Sequence, residues 1–330
     1  MSSPTKIITV FGATGNQGSS VIKTLLSHPS LASQYHIRGI TRDVNKPSAQ
    51  ALRSQGVEPI QADLSDPTSL RLALKDSHSV FAVTNYWDTM SKENEIQQGK
   101  NIVDACLSSD SAVQHLILST LPNVTQLTNN QLTNVEHFDS KAEVSAYAEA
   151  HKKSPSSNKN LIVTHFMPGY FSSNIKSTIS IDPSSGLPTC MLPFDRTATK
   201  VPLFSPRDDT GPYVVGALVL SAAADGAFIQ AVSDWKTPAE IVSVITHYNR
   251  GTPEVQFKEL PADVWAKFLP LPEHAQIEMA ENMILVKDWS YFGKGAEKLQ
   301  KEIDEKFLLK GEKKVGWEEF VKRNGPWEWK

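Results

Sequence analysis

Cysteine is nearly absent: the chain holds two, Cys106 and Cys190, among 330 residues. That excludes a disulfide framework and a cysteine-rich zinc site, and it fits a reducing compartment. No residue pattern points to a bound metal. Positive charge is not in excess either. The 33 Lys and Arg against 36 Asp and Glu leave a formal charge of -3, which argues against nucleic acid as the direct ligand, since phosphate neutralisation needs a basic surface. Long hydrophobic runs are missing, so no stretch approaches transmembrane length. The opening segment MSSPTKIITV lacks the basic segment and apolar run of a secretory signal. The expectation is a cytoplasmic chain, with the nucleus also open to it, and no membrane partner.

What is present is ordinary globular material. Hydrophobic residues make up 40% and charged residues 21%, which excludes a disordered chain. The first half alternates short apolar runs with amphipathic stretches, the pattern of βαβ units around a parallel sheet. It predicts strands at 6–11, 35–41, 57–62, 79–83 and 115–119, with a sixth at 161–166. Helices are expected at 18–27, 48–54, 67–74, 92–108 and 136–151. Two polar stretches, 126–134 (QLTNNQLTN) and 152–159 (KKSPSSNK), read as loops. Beyond about Pro168 the alternation weakens and Pro and Gly become frequent. Helices are expected there at 238–248, capped by Thr237, and at 261–268 and 272–282. The fold class is α/β, a doubly wound parallel sheet with a smaller C-terminal α/β lobe. Residues 1–167 form the dinucleotide-binding part. Residues 168–330 form the smaller lobe, interleaved with it and packed over the carboxyl edge of the sheet, where ligands bind in such folds.

The stretch VFGATGNQGSSV carries Gly12, Gly15 and Gly18 between the first strand and the first helix. Glycines there allow a tight turn and a close backbone approach to a pyrophosphate, whose charge the helix N-terminus favours. The loop Gly12, Ala13, Thr14, Gly15, Asn16, Gln17 and Gly18 is therefore the expected cofactor cradle. After the second strand come Thr41 and Arg42, with Lys46 close behind. An arginine fork in that place suits the 2′-phosphate of NADP, where an NAD enzyme usually carries an acid. Asp43 complicates this reading, and a solvated loop arginine is the plain alternative. Asp63 and Leu64 follow the third strand, at the adenine edge or in a simple turn. Thr84, Asn85 and Tyr86 follow the fourth, facing the cofactor side. Trp87 fits core or lobe packing better than ligand contact.

These pieces together resemble the NmrA-like family, an atypical branch of the short-chain dehydrogenase/reductases. The segments that carry the likeness are VFGATGNQGSSV, TRDVNK, VTNYWD, QGKNIVDAC, HFDSKAEV and MPGYFSSN; TNYW and HFDSKAEV are especially close to NADP-sensing members. The resemblance implies a Rossmann domain with a small α/β lobe. It also implies NADP (NADPH) as cofactor, held by the glycine loop, Arg42 and Lys141, with Tyr170 and Phe171 bordering the nicotinamide end.

The usual members of that superfamily use Tyr-x-x-x-Lys, in which the lysine tunes a proton-donating phenol. No tyrosine here has a lysine four residues on. His137 and Lys141 stand where the pair belongs, on one helix face. His137 is open to three readings: a poor substitute acid, a pH sensor, or a polar residue near the cleft. Tyr170 is the tyrosine that could reach the site from elsewhere. Two functions follow. One is an NADP(H)-binding redox sensor that acts on a regulatory protein partner, with 126–134 ordering when cofactor binds. The other is an NADPH-dependent oxidoreductase of a quinone, enone or similar small apolar substrate, using Lys141 or a relocated acid. The sensor is the expectation, as a monomer or homodimer.

Overall fold

The computed structural model describes residues 6–153, 161–249 and 253–329. Five βα steps and a sixth strand come first, the last connection holding two helices. The strands are β1 (Lys6–Val10), β2 (Tyr35–Thr41), β3 (Glu58–Gln61), β4 (Ser79–Ala82), β5 (His115–Ser119) and β6 (Ile162–Pro168). Between them run α1 (Asn16–Ser27), α2 (Pro47–Ser54), α3 (Pro67–Ala73), α4 (Lys92–Leu107), α5 (Val124–Leu127) and α6 (Glu136–His151). β4 and β5 are buried at every position, as strands covered by helices on both faces must be. α3 starts as its sequence demands, with the Asp66 side chain accepting from Thr68 N–H and Pro67 in the first turn.

The chain then leaves the sheet through β7 (Tyr170–Phe171), β8 (Ile179–Ile181), β9 (Pro188–Leu192) and β10 (Val201–Phe204). It returns with α7 (Pro206–Leu220) and β11 (Phe228–Ala231). The main sheet has seven strands in the order β11-β6-β5-β4-β1-β2-β3. Every pairing in it is parallel, so the structure is the expected Rossmann sheet, with residues 228–231 supplying its last strand. Gly211 lets α7 lie against α1. Its N–H donates to Ser20 Oγ at 2.9 Å, and a side chain there would collide with the Ser20 carbonyl.

The lobe is completed by β12 (Asp234–Lys236), α8 (Pro238–Tyr248), β13 (Gln256–Glu259), α9 (Ala262–Ala266), α10 (Glu273–Ile284), α11 (Ala296–Phe307) and α12 (Trp317–Asn324). α8 begins in the expected place, with a capping box between Thr237 and Glu240. The helix expected at 261–268 is shorter. Phe268 and Leu269 close on Trp265 and Ala266 in turns, and Pro270 and Pro272 prevent continuation. Two three-stranded sheets, β12-β10-β7 and β13-β9-β8, carry the lobe's aromatic core. Phe194 is fully buried there, whereas Phe166 and Phe204 are fully buried in the core of the main sheet.

The stretch 126–134 is the expected loop from Thr128 on, in turns and irregular backbone. It begins inside α5, which Asp139 holds by accepting from Val124 N–H at 2.6 Å and Thr125 N–H at 3.3 Å. Thr128 Oγ1 donates to the Val124 carbonyl at 2.8 Å and accepts from Leu132 N–H at 3.0 Å. Asn129 and Asn130 take positive φ of 51° and 63°, which asparagine tolerates. Thr128 thus supplies internal bonds, while Asn129, Asn130 and Gln131 are exposed as a loop requires. Of the second polar stretch, Lys152 is buried between Glu149 and Asp225, and residues 154–159 lie outside the described residues.

Candidate functional site

The glycine turn meets the demands of a dinucleotide cradle. Gly12 sits at φ +60°, and a Cβ there would stand 2.8 Å from Val83. Gly15 N–H donates back to the Gly12 carbonyl at 2.8 Å. Any side chain at Gly18 would collide with that same carbonyl, so this residue sets how closely α1 packs on β1. Ala13 is buried, while Thr14 and Gly15 are exposed and Asn16 opens the helix. No side chain caps α1 and its first turn holds no acid. The positive helix end and its free N–H groups remain available to an anion. Gln17 Oε1 accepts from Ser119 Oγ at 2.7 Å, bridging the loop to the end of β5.

At the end of β2, Asp43 N–H donates to Thr41 Oγ1 at 3.3 Å and folds a tight turn. The Asp43 carboxylate accepts from Asn45 N–H at 2.8 Å. Arg42 points outward, 77% exposed, its Nη1 3.2 Å from Asp88 Oδ2. Lys46 is exposed at the start of α2 and caps nothing with its side chain. Asp63 Oδ1 accepts from Ser65 N–H at 2.8 Å, the geometry of a turn residue. The Leu64 carbonyl accepts from Asn101 Nδ2 at 2.9 Å.

Beyond β4 the expected ribose-facing residues divide. Asn85 is exposed and donates to Asp88. Thr84 Oγ1 donates to Glu95 Oε1 at 2.7 Å. Tyr86 turns inward, 1% exposed, with its hydroxyl donating to Glu136 Oε2 at 3.0 Å. Burial, then the carboxylates of Glu278 and Glu136, push its pKa far up, so the phenol keeps its proton.

Helix α6 carries the chemistry-bearing side chains on successive turns. Lys141 pairs with Glu95 of α4, which also accepts from Ser140 Oγ. Glu95 is 1% exposed and Lys141 13%. The two helices come close because Gly99 has no side chain to meet Val144. Lys141 lines a small cavity with Thr84, Ser119 and Thr120 at the carboxyl ends of β4 and β5. One turn earlier, His137 Nδ1 lies 2.6 Å from Glu278 Oε1 of α10, and the His137 backbone N–H donates to the same oxygen at 2.8 Å. Trp87 stands against the imidazole, ring centres 5.2 Å apart. Tyr170 lies in the lobe's core, 7% exposed. Burial, with Cys190 nearby, raises its pKa, which makes it a poor proton donor. Phe171 is partly buried against the sheet-side core.

Glu95, Glu278 and Asp88 are the site residues that sequence reasoning missed. Asp88 lies inside the quoted VTNYWD segment. The two glutamates sit on helices with nothing local to mark them. Among the described residues no group of His, Cys, Asp and Glu could hold a metal ion, and no helix is long and apolar enough to cross a membrane.

Known proteins resemble this chain in sequence and in fold. The NmrA-like oxidoreductase ptmS of Penicillium ochrochloron is 32% identical over 248 residues, 71% of this chain and 70% of its own. The related himF of Aspergillus japonicus is 28% identical over 88% of this chain and 86% of its own. Among solved structures, the negative transcriptional regulator NmrA in complex with NADP superposes with a TM-score of 0.77 at 18% identity, over 98% of this chain and 96% of its own. An NADPH-dependent quinone oxidoreductase of Escherichia coli, complexed with NADPH, gives 0.70 at 18% identity, over 96% and 99%. The NmrA-like family pattern itself matches residues 4–321, and the chain belongs to that family.

Proposed function

We propose that this protein is an NADPH-dependent oxidoreductase acting on a small apolar carbonyl compound of the quinone or enone class. The observation that carries it is the placement of Lys141. This cation is held at the carboxyl ends of β4 and β5 by a buried carboxylate, on the sheet edge that the uncapped glycine turn also faces. The cradle fits the pyrophosphate, and exposed Arg42 fits a 2′-phosphate. Oxidoreductase names on the similar fungal proteins support the same reading.

When bound, reduced nicotinamide supplies a hydride to the substrate. Lys141 orients the adjoining ribose, and Glu95 fixes the position of its ammonium. Thr84 and Ser119 border the same space. Trp87, with 37% of its surface open, offers a flat apolar wall to a planar conjugated molecule.

The experiment is NADPH oxidation against quinones and enones, with Lys141→Ala as control. Turnover that falls at least about tenfold in the variant supports the reading. Absence of turnover across the panel rejects it. A second reading, a cofactor-responsive regulator, has its own support in the overall likeness to NmrA. It predicts tight NADP(H) binding without turnover, which the same assay with calorimetric titration separates.

A further inference from the structure

Buried carboxylates in native proteins are normally satisfied on both oxygens. Glu278 is not. Its Oε1 receives the His137 backbone N–H and imidazole Nδ1, while Oε2 is buried without a hydrogen bond of good geometry, the Tyr86 hydroxyl being the one further donor near the carboxylate among the described residues. The side chain is 2% exposed. An ionised carboxylate in such a place needs a compensating cation. His137 is the side chain placed to provide one: Glu136 on its own helix is also acidic, and Lys141 is engaged with Glu95. Asn282, one turn along α10 on the same face, has its Nδ2 buried and unpartnered as well. The seam between α6 and α10 is therefore short of partners at the point where His137 meets it.

The other imidazole nitrogen is placed differently. Nε2 has no partner among the described residues and is not sealed from solvent, the side chain being 14% exposed. With Glu278 ionised, Nδ1 must donate to it, which leaves Nε2 as the exchangeable position. His137 shares a helix face with Lys141 and lies against Trp87.

We infer that His137 and Glu278 form the proton-donating dyad of this site: His137 is the catalytic acid, and Glu278, contributed by the C-terminal lobe, is its positioning residue. The inference rests on the oxidoreductase reading above. The substrate carbon gains the hydride, and the π pair of its conjugated carbonyl moves onto oxygen. The Nε2 proton of the imidazolium passes to that oxygen, so an O–H bond forms as the N–H bond breaks. Neutral imidazole with its proton on Nδ1 remains on Glu278, and solvent returns the second proton. Glu278 fixes the tautomer and stabilises the charged ring, as the carboxylate of a serine protease triad does. In this arrangement the lobe completes the catalytic machinery.

The test uses the full chain, with His137→Asn and Glu278→Gln. Asparagine keeps a donor nitrogen toward Glu278 but transfers no proton. Glutamine keeps an acceptor but carries no charge. Quinone and enone reduction is followed between about pH 6 and 9, NADPH affinity by calorimetry, and the imidazole tautomer by nitrogen NMR without cofactor. The titratable and charged groups that face His137 are Glu278 from α10, Tyr86 from the end of β4, whose phenol keeps its proton throughout, and Glu136 and Lys141 from α6.

The expected result is a fall in kcat of about a hundredfold in His137→Asn and about tenfold in Glu278→Gln. KM and NADPH affinity should change by less than about threefold. The wild type should show its neutral imidazole protonated on Nδ1, and Glu278→Gln should lose that exclusive tautomer. Wild-type turnover that survives in His137→Asn overturns the dyad and leaves the oxidoreductase reading standing. A wild-type tautomer protonated on Nε2 alone overturns it as well. A wild type inactive across the panel overturns both. Should Glu278→Gln fail to fold, His137→Asn and the wild-type tautomer decide.

Discussion

One turn apart on α6, two side chains meet buried glutamates, and the two glutamates are treated differently. On the inner turn, Glu95 gathers Lys141, Ser140 and Thr84, all from the sheet half of the molecule. On the outer turn, Glu278 reaches across from the lobe and meets His137, with the Tyr86 hydroxyl close by. A carboxylate with three side-chain donors is fixed in place and holds its lysine still. A carboxylate with one oxygen lacking a well-formed hydrogen bond is held less firmly. The inner pair ties α6 to α4 of the sheet half; the outer pair ties it to α10 of the lobe.

The largest effect should come from breaking the inner pair. Glu95→Ala strands Lys141 and two hydroxyls, and loss of one partner of a buried pair costs about 3–5 kcal/mol. Glu278→Gln keeps an acceptor opposite His137 and should cost about 1 kcal/mol. Urea denaturation of both variants measures the difference. Equal losses would mean that the two carboxylates are equivalent supports, and the contrast between the turns would go.

Acid offers a second way to separate the sheet half from the seam. His115 on β5 is 2% exposed, with Nε2 2.9 Å from Thr164 Oγ1. Burial, then the neighbouring His78, push its pKa down from 6.5 to about 4. Its folded-state pKa is depressed, so between these values the unfolded chain binds a proton that the native chain refuses. Stability is lost as pH falls through this window, by about 3 kcal/mol at the low end. Denaturation midpoints across the window should show that slope, and His115→Asn should flatten it. A slope unchanged in the variant would place the acid sensitivity elsewhere, with the seam as the next suspect.

What the sequence discloses follows the same division. The six strands of the sheet half and the helices between them fall within a few residues of expectation, because βα alternation and apolar runs are local signals. The glycine cradle is legible for the same reason: a positive φ at Gly12 and a collision at Gly18 are demands on single residues. Glu95 and Glu278 are not legible. Lys141 and His137, the charged or titratable partners, stand 46 and 141 residues away, and a glutamate on an amphipathic helix reads as solvent-facing until the fold closes over it. The lobe is hard to read because its strands are short, β7 having only two residues.

A third pair of opposite charges completes the comparison, and it is the exposed one. Arg42 should give NADPH at least about a tenfold advantage over NADH, about 1.4 kcal/mol. Calorimetric titration of both cofactors, repeated on Arg42→Ala, is the check. Equal affinities in the wild type, or a preference that survives in the variant, would remove Arg42 from the 2′-phosphate.

The smallest effect is expected at its partner, Asp88. The side chains are 77% and 45% exposed, so the pair contributes little to folding, well under about 1 kcal/mol. Its consequence lies in selectivity. Asp88 Oδ2 sits on the same guanidinium that a 2′-phosphate would take, and Asn85 holds the carboxylate by its other oxygen. A phosphate must therefore displace an internal anion, whereas a 2′-hydroxyl has no such competitor. Asp88→Asn should tighten NADPH binding by about twofold to fivefold, the worth of an exposed pair converted to affinity. NADH binding and the unfolding midpoint should stay where they are. The gain should shrink as salt rises, because screening weakens exposed pairs first. If NADH tightens equally, Asp88 acts on the shape of the turn after β4. If neither cofactor responds, the Arg42–Asp88 contact does not compete with the cofactor at all.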